Sequence, residues 1–560
     1  MPPELAGVPG TWCRNLVPEL IVSPELVAYE AEMTDTISVD PVAPLNEDEQ
    51  QELAASLDSQ GAVLPLRRAD LHTRAMASRV RERVLQWTPQ GPSAVAVPTT
   101  HGKLDKIDVI PGILAVPTLD EDGDKIPFVK KALFRALRSL PLIDEAAPWS
   151  SLEHASAVIT TQFESILPPP PVRWANVDSD RTVALMAFQG LGAHRLEPLD
   201  SDPEEAAYAV DMTWMSAFAV RPGLEPYGAC AYFGADRTLM RVYTSHDDRT
   251  HHPGDDSWND AKWRWRCALF AGVTIADHLG GVHFLASNLL VTVTREQLHH
   301  DHPMRRLLKP FGYGAVEVNI DAGLMLAPEG GVAHRLFGFT YAGLYRCLLR
   351  GVETMRLQTF PQAMAAKRVT TLGDSYPYAT DGLALYEILQ TYAQDYLDIF
   401  FPGESVVQDA AVRAWWQAII ELAPTLGLGP LNTAGQVVDL ITEFMFIVTG
   451  MHGQVGAVVP YLFDPDFITC KIRAGTQLSD VQATVQVLNL AALTQMEQPA
   501  MIGDYSHIFL ERDKERTIAA FERYQQGLIK LSHDIEERNK HREQPFQTFN
   551  PVILKTSVST

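Results

Sequence analysis

Histidine is the side chain best suited to hold a metal ion or pass a proton near neutral pH, and this chain carries 17 of them. Two, His278 and His283, lie in WNDAKWRWRCALFAGVTIADHLGGVHFLASNLL (258–290). In an ideal α-helix their five-residue spacing rotates them apart by about 140°. A π-bulge, with its wider turn, brings i and i+5 onto one side, and such bulges collect at functional sites. The Gly280-Gly281 pair between them tolerates that distortion. A third, His452, follows a mostly apolar run in ITEFMFIVTGMHGQVG (441–456). Imidazoles brought together in this way would hold a transition metal. Each one alone also fits a plainer role, a core histidine satisfied by a hydrogen bond, since leaving it unsatisfied costs about 1–3 kcal/mol. Residue type and spacing leave both readings open.

Two further clusters have metal-binding residue types, HHPGDD (251–256) and HHDH (299–302). Both read as polar loops without the helical spacing that pre-organises ligands, so neither is the expected primary site. The chain has no HExxH zinc helix, no GxSxG elbow and no phosphate-binding P-loop.

The elements that must position these histidines are mostly helical. Residues 63–88 read as a helical stretch, and LPPPPVRW (167–174) as a stiff connector, because consecutive prolines fix φ and forbid helix. From Asp180 onward helical patterning dominates, with β-type segments expected at 231–243 and 314–318. The apolar run 437–448 contains Asp439 and Glu443. An acidic group at mid-bilayer costs roughly 2.5–3.5 kcal/mol, so this run reads as a buried core helix and no stable membrane span is expected. Residues 511–540, highly charged with apolar residues at helical spacing, read as a long surface helix leading into the C-terminal tail.

Composition narrows the class. With 46% hydrophobic and 21% charged residues, the 560-residue chain is an ordinary globular sequence. Length alone suggests about three or four domains, although a large helical enzyme with one core absorbs the same length. The net charge of −23 argues against nucleic-acid binding and against loose attachment to an anionic bilayer, and leaves a neutral, apolar partner open. The five cysteines are scattered without a CxxC pair, which fits a reducing compartment. The first residues lack a basic start followed by an apolar run, so a cytoplasmic location is expected.

Read together and in order, these pieces resemble the catalytic domain of the lipoxygenase family. Trp258-xx-Ala261-Lys262 followed by His278 and His283 is similar to its first metal-ligand helix. HPMRRLLKPFGYGAVEVN (302–319) resembles its HPxxKLLxPHxRxTxxIN segment. YPYATDGLALYEILQTYAQDYLDIFFPGESVVQDAAVRAWW (376–416) follows its YPYADDGL…YYP…D…W block, and VTGMHGQVG (448–456) its second ligand helix. IEERNKHREQPFQTFNPVILKTSVST (535–560) resembles its closing RN…PY..L.P…NSxSI, and WANVDSDRTVALMAFQGLG (174–192) is a weaker match. The likeness covers roughly residues 130–560.

The resemblance implies a mainly α protein, one large helical catalytic domain over 101–560 with a few short β segments, preceded by an extension (1–100) packed on the core. It implies that the small N-terminal β-sandwich of animal and plant members is missing. By resemblance, His278, His283 and His452 are ligands of one non-haem iron (manganese in some fungal members), and the terminal carboxylate of Thr560 is a fourth. Leu326 aligns with a leucine that clamps the substrate pentadiene, and Ala322 with a position that sets stereochemistry; core packing explains both residues equally well.

The implied reaction removes hydrogen from a bis-allylic carbon of a polyunsaturated fatty acid, or a similar lipophilic polyene, and adds O2 to the radical. Four positions depart from the family pattern. Thr560 stands where the family usually ends in Ile, although the ligating group belongs to the backbone. A further ligand position falls on Gly456, a plant glutamine on Val459, and the arginine that greets a fatty-acid carboxylate on Tyr313. These departures leave two alternatives: the same metal with a different lipophilic substrate or a hydroperoxide to isomerise, and a catalytically silent lipid- or partner-binding relative. Metal content separates the last from the enzymes.

Overall fold

The computed structural model describes residues 95, 97, 99, 101–118, 178–329, 331–463, 467–473 and 499–558. The helical stretch expected at 63–88 and the proline connector lie outside them, as does most of the extension 1–100.

The described chain opens with an antiparallel hairpin, β1 (Lys106–Ile110) and β2 (Leu114–Pro117), in which Ile107 pairs with Val116. Helix α1 (Asp180–Gln189) begins at Ser179, whose side chain accepts from Arg181 N. A five-stranded antiparallel meander follows in the order β3 (Glu197–Pro198), β4 (Tyr208–Asp211), β5 (Ala229–Phe233), β6 (Leu239–Thr244) and β7 (Arg249–His251). The β-type segment expected at 231–243 is the β5–β6 hairpin, with Ala231 opposite Val242.

The long helix α2 (Trp258–Gln297) changes from α to π over Val273–Ser287 and back again. Helix α3 (Pro303–Leu308) is capped by His302, whose Nδ1 accepts from Met304 N at 3.2 Å. Helix α4 (Ala315–Asp321) runs on as a π turn over Ala322–Leu326. The strand expected at 314–318 is therefore helix. Val316 and Val318 favour extended chain, but the buried set Val316, Asn319 and Ile320 has helical spacing. Gly314, at φ 63°, supplies the left-handed entry that starts the turn.

Then come α5 (Val332–Leu336), α6 (Tyr341–Thr354), α7 (Phe360–Ala366), α8 (Pro377–Phe400), α9 (Ala410–Leu422), α10 (Ala434–Gly456) and α11 (Lys514–Asn539). Like α2, α10 carries a π segment, Ile447–Met451, just before its histidine. Thr433 and Gln436 close its N-terminus as a reciprocal capping box.

Both α2 and α10 are long and apolar enough to cross a membrane, yet 78% and 72% of their most apolar windows are buried inside the protein. Apolar residues on every side mark a helix enclosed by its neighbours, and the buried side chains form one contiguous cluster around these two. This matches the core-helix expectation for 437–448. The charged helix α11 lays Phe521, Tyr524, Leu528, Leu531 and Ile535 inward, with Tyr524 stacked on Tyr392 of α8 at 4.4 Å. Cys230, Cys267, Cys347 and Cys470 are buried thiols.

The blocks around α8 and the tail meet in one buried charge cluster. Asp381, fully enclosed, receives two hydrogen bonds from Arg542, at 2.7 and 2.8 Å, and pairs with Arg538 at 3.0 Å. A buried pair of this kind fixes geometry, and removing one partner typically costs about 3–5 kcal/mol. It ties the start of the C-terminal segment to α8.

Candidate metal centre

Helix α6 presses against the π segment of α2, and two glycines allow it. A Cβ on Gly280 would stand 2.5 Å from the Leu348 carbonyl, and one on Gly351 would run into the Ala276 carbonyl. Gly280 thus serves close helix packing as well as the bulge. Wider turns in α2 then place His278 and His283 on one side.

From α10, His452 completes a cluster. His283 Nε2 lies 3.1 Å from His278 Nε2 and 3.3 Å from His452 Nε2. The three ring centroids are 4.7–5.1 Å apart. Ligands at right angles on metal–nitrogen bonds of roughly 2.1 Å would be separated by about 3.0 Å. The donor set therefore fits a transition metal, with imidazole ligands arranged on one side of it. Burial pushes the His278 imidazole well below its usual pKa, and His283 and His452 add to the effect, so it is held neutral.

A neutral imidazole ligand needs its other nitrogen protonated, and α4 supplies the partner. His283 Nδ1 lies 3.3 Å from Asn319 Oδ1, while Asn319 Nδ2 donates to Ser287 Oγ at 3.1 Å. Ser287 Oγ in turn donates to the His283 carbonyl at 2.8 Å. With its nitrogen committed to Ser287, the Asn319 oxygen can only accept, so the His283 proton sits on Nδ1 and Nε2 keeps its lone pair. On the other side of α10, Gln454 Nε2 donates to the Gly190 carbonyl at 3.0 Å, fixing the helix end beside His452.

Asp277, next to His278, is held by Arg195 Nε at 2.7 Å and by His194 Nε2 at 2.8 Å. Burial pushes its carboxyl up, but Arg195 and His194 outweigh burial and bring it down to about 2. The array borders a cavity of about 340 Å³ that reaches Gly281, Val282, Gly351, Met355 and Met451. Sequence reading missed Asn319, His194 and Arg195, which are distant in the chain from the residues they contact, His283 and Asp277. Asn319 was visible only as the last residue of the 302–319 block.

The other expected residues fall as follows. Ala322 is buried and Leu326 half-buried on the π turn that follows Asn319, where Gly323 packs against Val109 and Leu114 of the hairpin. A Cβ on Gly456 would lie 3.3 Å from His278 Nε2 and 3.8 Å from His452 Nε2, so a side chain at this position would face the cluster. Thr560 lies outside the described residues. The tail before it is threaded inward: Leu554 abuts Gly453, Ser557 Oγ donates to the Tyr313 carbonyl at 2.8 Å, and Val558 is fully buried. In HHPGDD, His251 is not in an open loop but in β7, buried, with Nε2 and Nδ1 paired to Thr244 and Ser257 hydroxyls at 2.8 and 2.7 Å.

A mainly helical fold brings three imidazoles together on two π-distorted helices, a donor group that could hold a non-haem metal ion. The family model described as Lipoxygenase matches residues 235–458. Mouse "Arachidonate 12-lipoxygenase, 12R-type" is 24% identical over 370 residues, 59% of this chain and 51% of its own length. Human "Hydroperoxide isomerase ALOXE3" is 26% identical over 347 residues, 55% of this chain and 48% of its own length. The crystal structure of a coral 8R-lipoxygenase superposes with a TM-score of 0.70 at 17% identity, covering 86% of this chain and 81% of that one. Over residues 235–458 the chain is similar to the lipoxygenase family. It spans about half the length of the curated relatives it matches.

Proposed function

We propose that this protein is a non-haem iron dioxygenase that inserts O2 into a polyunsaturated fatty acid or similar lipophilic polyene. The observation that carries the reading is the convergence of His278, His283 and His452 Nε2 atoms within 3.1 and 3.3 Å contacts. Iron held there would supply one-electron redox chemistry for removing hydrogen from a bis-allylic carbon. The residues do the rest by position. His278, His283 and His452 hold the metal, with the Thr560 carboxylate as the fourth protein ligand, a role supported by the inward course of the tail to Val558. Asn319 holds the proton of His283 on Nδ1. Leu326 orients the pentadiene, and Ala322 shapes the face of the radical that meets O2; both continue the helix that carries Asn319.

Metal analysis, oxygen uptake and conjugated-diene formation with linoleic acid test the reading. One equivalent of iron with diene formation is expected; metal-free native protein would sink it. Manganese in place of iron would keep the ligands and change the metal. A second reading, isomerisation of a fatty-acid hydroperoxide, is supported by the likeness to the human hydroperoxide isomerase and by the missing side chain at Gly456. Hydroperoxide consumption without oxygen uptake would favour it.

A further inference from the structure

The second histidine cluster, set aside as a primary site, is organised by its turn rather than by a helix. We propose that His299, His300 and Asp301, joined by His101, form a second metal site that takes a zinc-like divalent cation and fastens the N-terminal segment to the core. One ligand atom from each of His299, His300 and Asp301 lies within 4.8 Å of the others. The His299 and His300 rings are 3.9 Å apart, and His300 Nε2 is 3.2 Å from Asp301 Oδ2. His300 Nδ1 is buried with no hydrogen-bond partner among the described residues, the condition of a nitrogen that lacks its ligand.

The turn is fixed from two sides. Asp301 N donates to His299 Nδ1 at 3.3 Å, and Asp301 Oδ1 takes Arg306 at 2.8 Å, leaving Oδ2 facing His300. Arg306 opposes a cation, whereas the chain's net charge of −23 favours one. Three imidazoles and one carboxylate match the nitrogen and oxygen preference of zinc. The separations exceed those of a closed tetrahedral site by about 1 Å or more, a gap that rotation of the exposed His299 and Asp301 side chains closes.

His101 gives the site its consequence. Its ring is 5.5 Å from that of His299, and it belongs to a separate stretch of chain. That stretch is already pinned nearby: Leu104 N and Lys106 Nζ reach Glu296, at 3.3 and 2.6 Å, and the Val95 carbonyl meets His507. It leads directly into β1–β2, which covers the π turn of Ala322–Leu326 and holds Asn288 through the Ala115 carbonyl. A cation shared by His101 and the 299–301 turn would brace the cover of the substrate-orienting helix, independently of the iron centre.

The test titrates zinc(II) into iron-loaded protein and counts bound zinc and iron together. One zinc beyond the iron is expected. The His299→Ala/His300→Ala double variant should bind it at least about tenfold more weakly with iron content unchanged, which shows that the variant is folded. Wild-type protein that binds no extra zinc, or a double variant that binds it as well as wild type, overturns the site. Zinc should also slow tryptic cleavage after Lys103 in wild type and not in His101→Ala. Equal protection in both removes His101 and the fastening role with it.

Discussion

Two histidine clusters in this molecule use the same side chains in opposite ways. His278, His283 and His452 are brought together by two packed core helices, with His283 held by Asn319 and the elements around them closely fitted. His299, His300 and Asp301 sit on a single turn at the surface, organised by local bonds and by one arginine. The first cluster cannot be separated from the fold, because its geometry is the packing geometry of α2, α6 and α10. The second can be removed with little consequence for the core. Pre-organisation, more than residue type, separates a cluster that would hold a metal firmly from one that would have to compete for it.

The largest break in this contrast is expected from His452→Ala. It removes one nitrogen of the core cluster and should release the iron, read as metal content falling well below one equivalent with loss of activity; full retention would exclude His452 from the site. Gly351→Val comes next. Its side chain would enter the Ala276 carbonyl, and overpacking of this kind costs about 1–3 kcal/mol. For a chain of 560 residues that lowers Tm by only about 1–3 °C, so the main readout is iron, which should be lost because the π segment shifts.

Asn319→Ala leaves the three ligands in place but frees the His283 tautomer. Metal affinity or activity should fall about 10–100-fold with Tm little changed, and an unaltered iron dissociation rate would refute the role assigned to Asn319. Glu443 sharpens the contrast by pH. Burial pushes its carboxyl up to about 8 from an ordinary 4.5, against a hydrogen bond from Phe360 N. The folded protein therefore keeps a proton that the unfolded chain releases. This stabilising contribution is complete below pH 4.5 and is lost as pH rises through about 8, at up to about 1.4 kcal/mol per pH unit. Glu443→Gln should flatten the fall of Tm between pH 5 and 8; an unchanged profile would rule out Glu443 as its source. Smallest is His299→Ala/His300→Ala in zinc-free buffer, expected to move stability by no more than about 0.5 kcal/mol, measured as Tm.

Much of the core site could be read in the chain. The i, i+5 spacing of His278 and His283 with two intervening glycines pointed to a π distortion, and the helix is π over Val273–Ser287. His452 beyond an apolar run was located on the right helix, and Asp439 and Glu443 marked that helix as core. Local pattern misled at 314–318, where two valines suggested strand and tertiary burial selected helix. In HHDH the side chains are gathered by a turn that Asp301 N and His299 Nδ1 close, without helical spacing.

By itself, then, the sequence determined which helices carry the histidines, because apolar periodicity, π-tolerant glycines and capping residues act within a few residues of one another. It also carried the lipoxygenase resemblance, since the ordered motif blocks survive as linear text. Only the tertiary structure decided that three imidazoles share one point, that Asn319 selects the tautomer of His283, and that Asp277 meets His194 and Arg195. Apart from the His278–His283 pair, those contacts join residues 36 to 169 positions apart. Their geometry depends on how closely α2, α6 and α10 pack, down to the missing Cβ of Gly280 and Gly351. No local pattern encodes that distance.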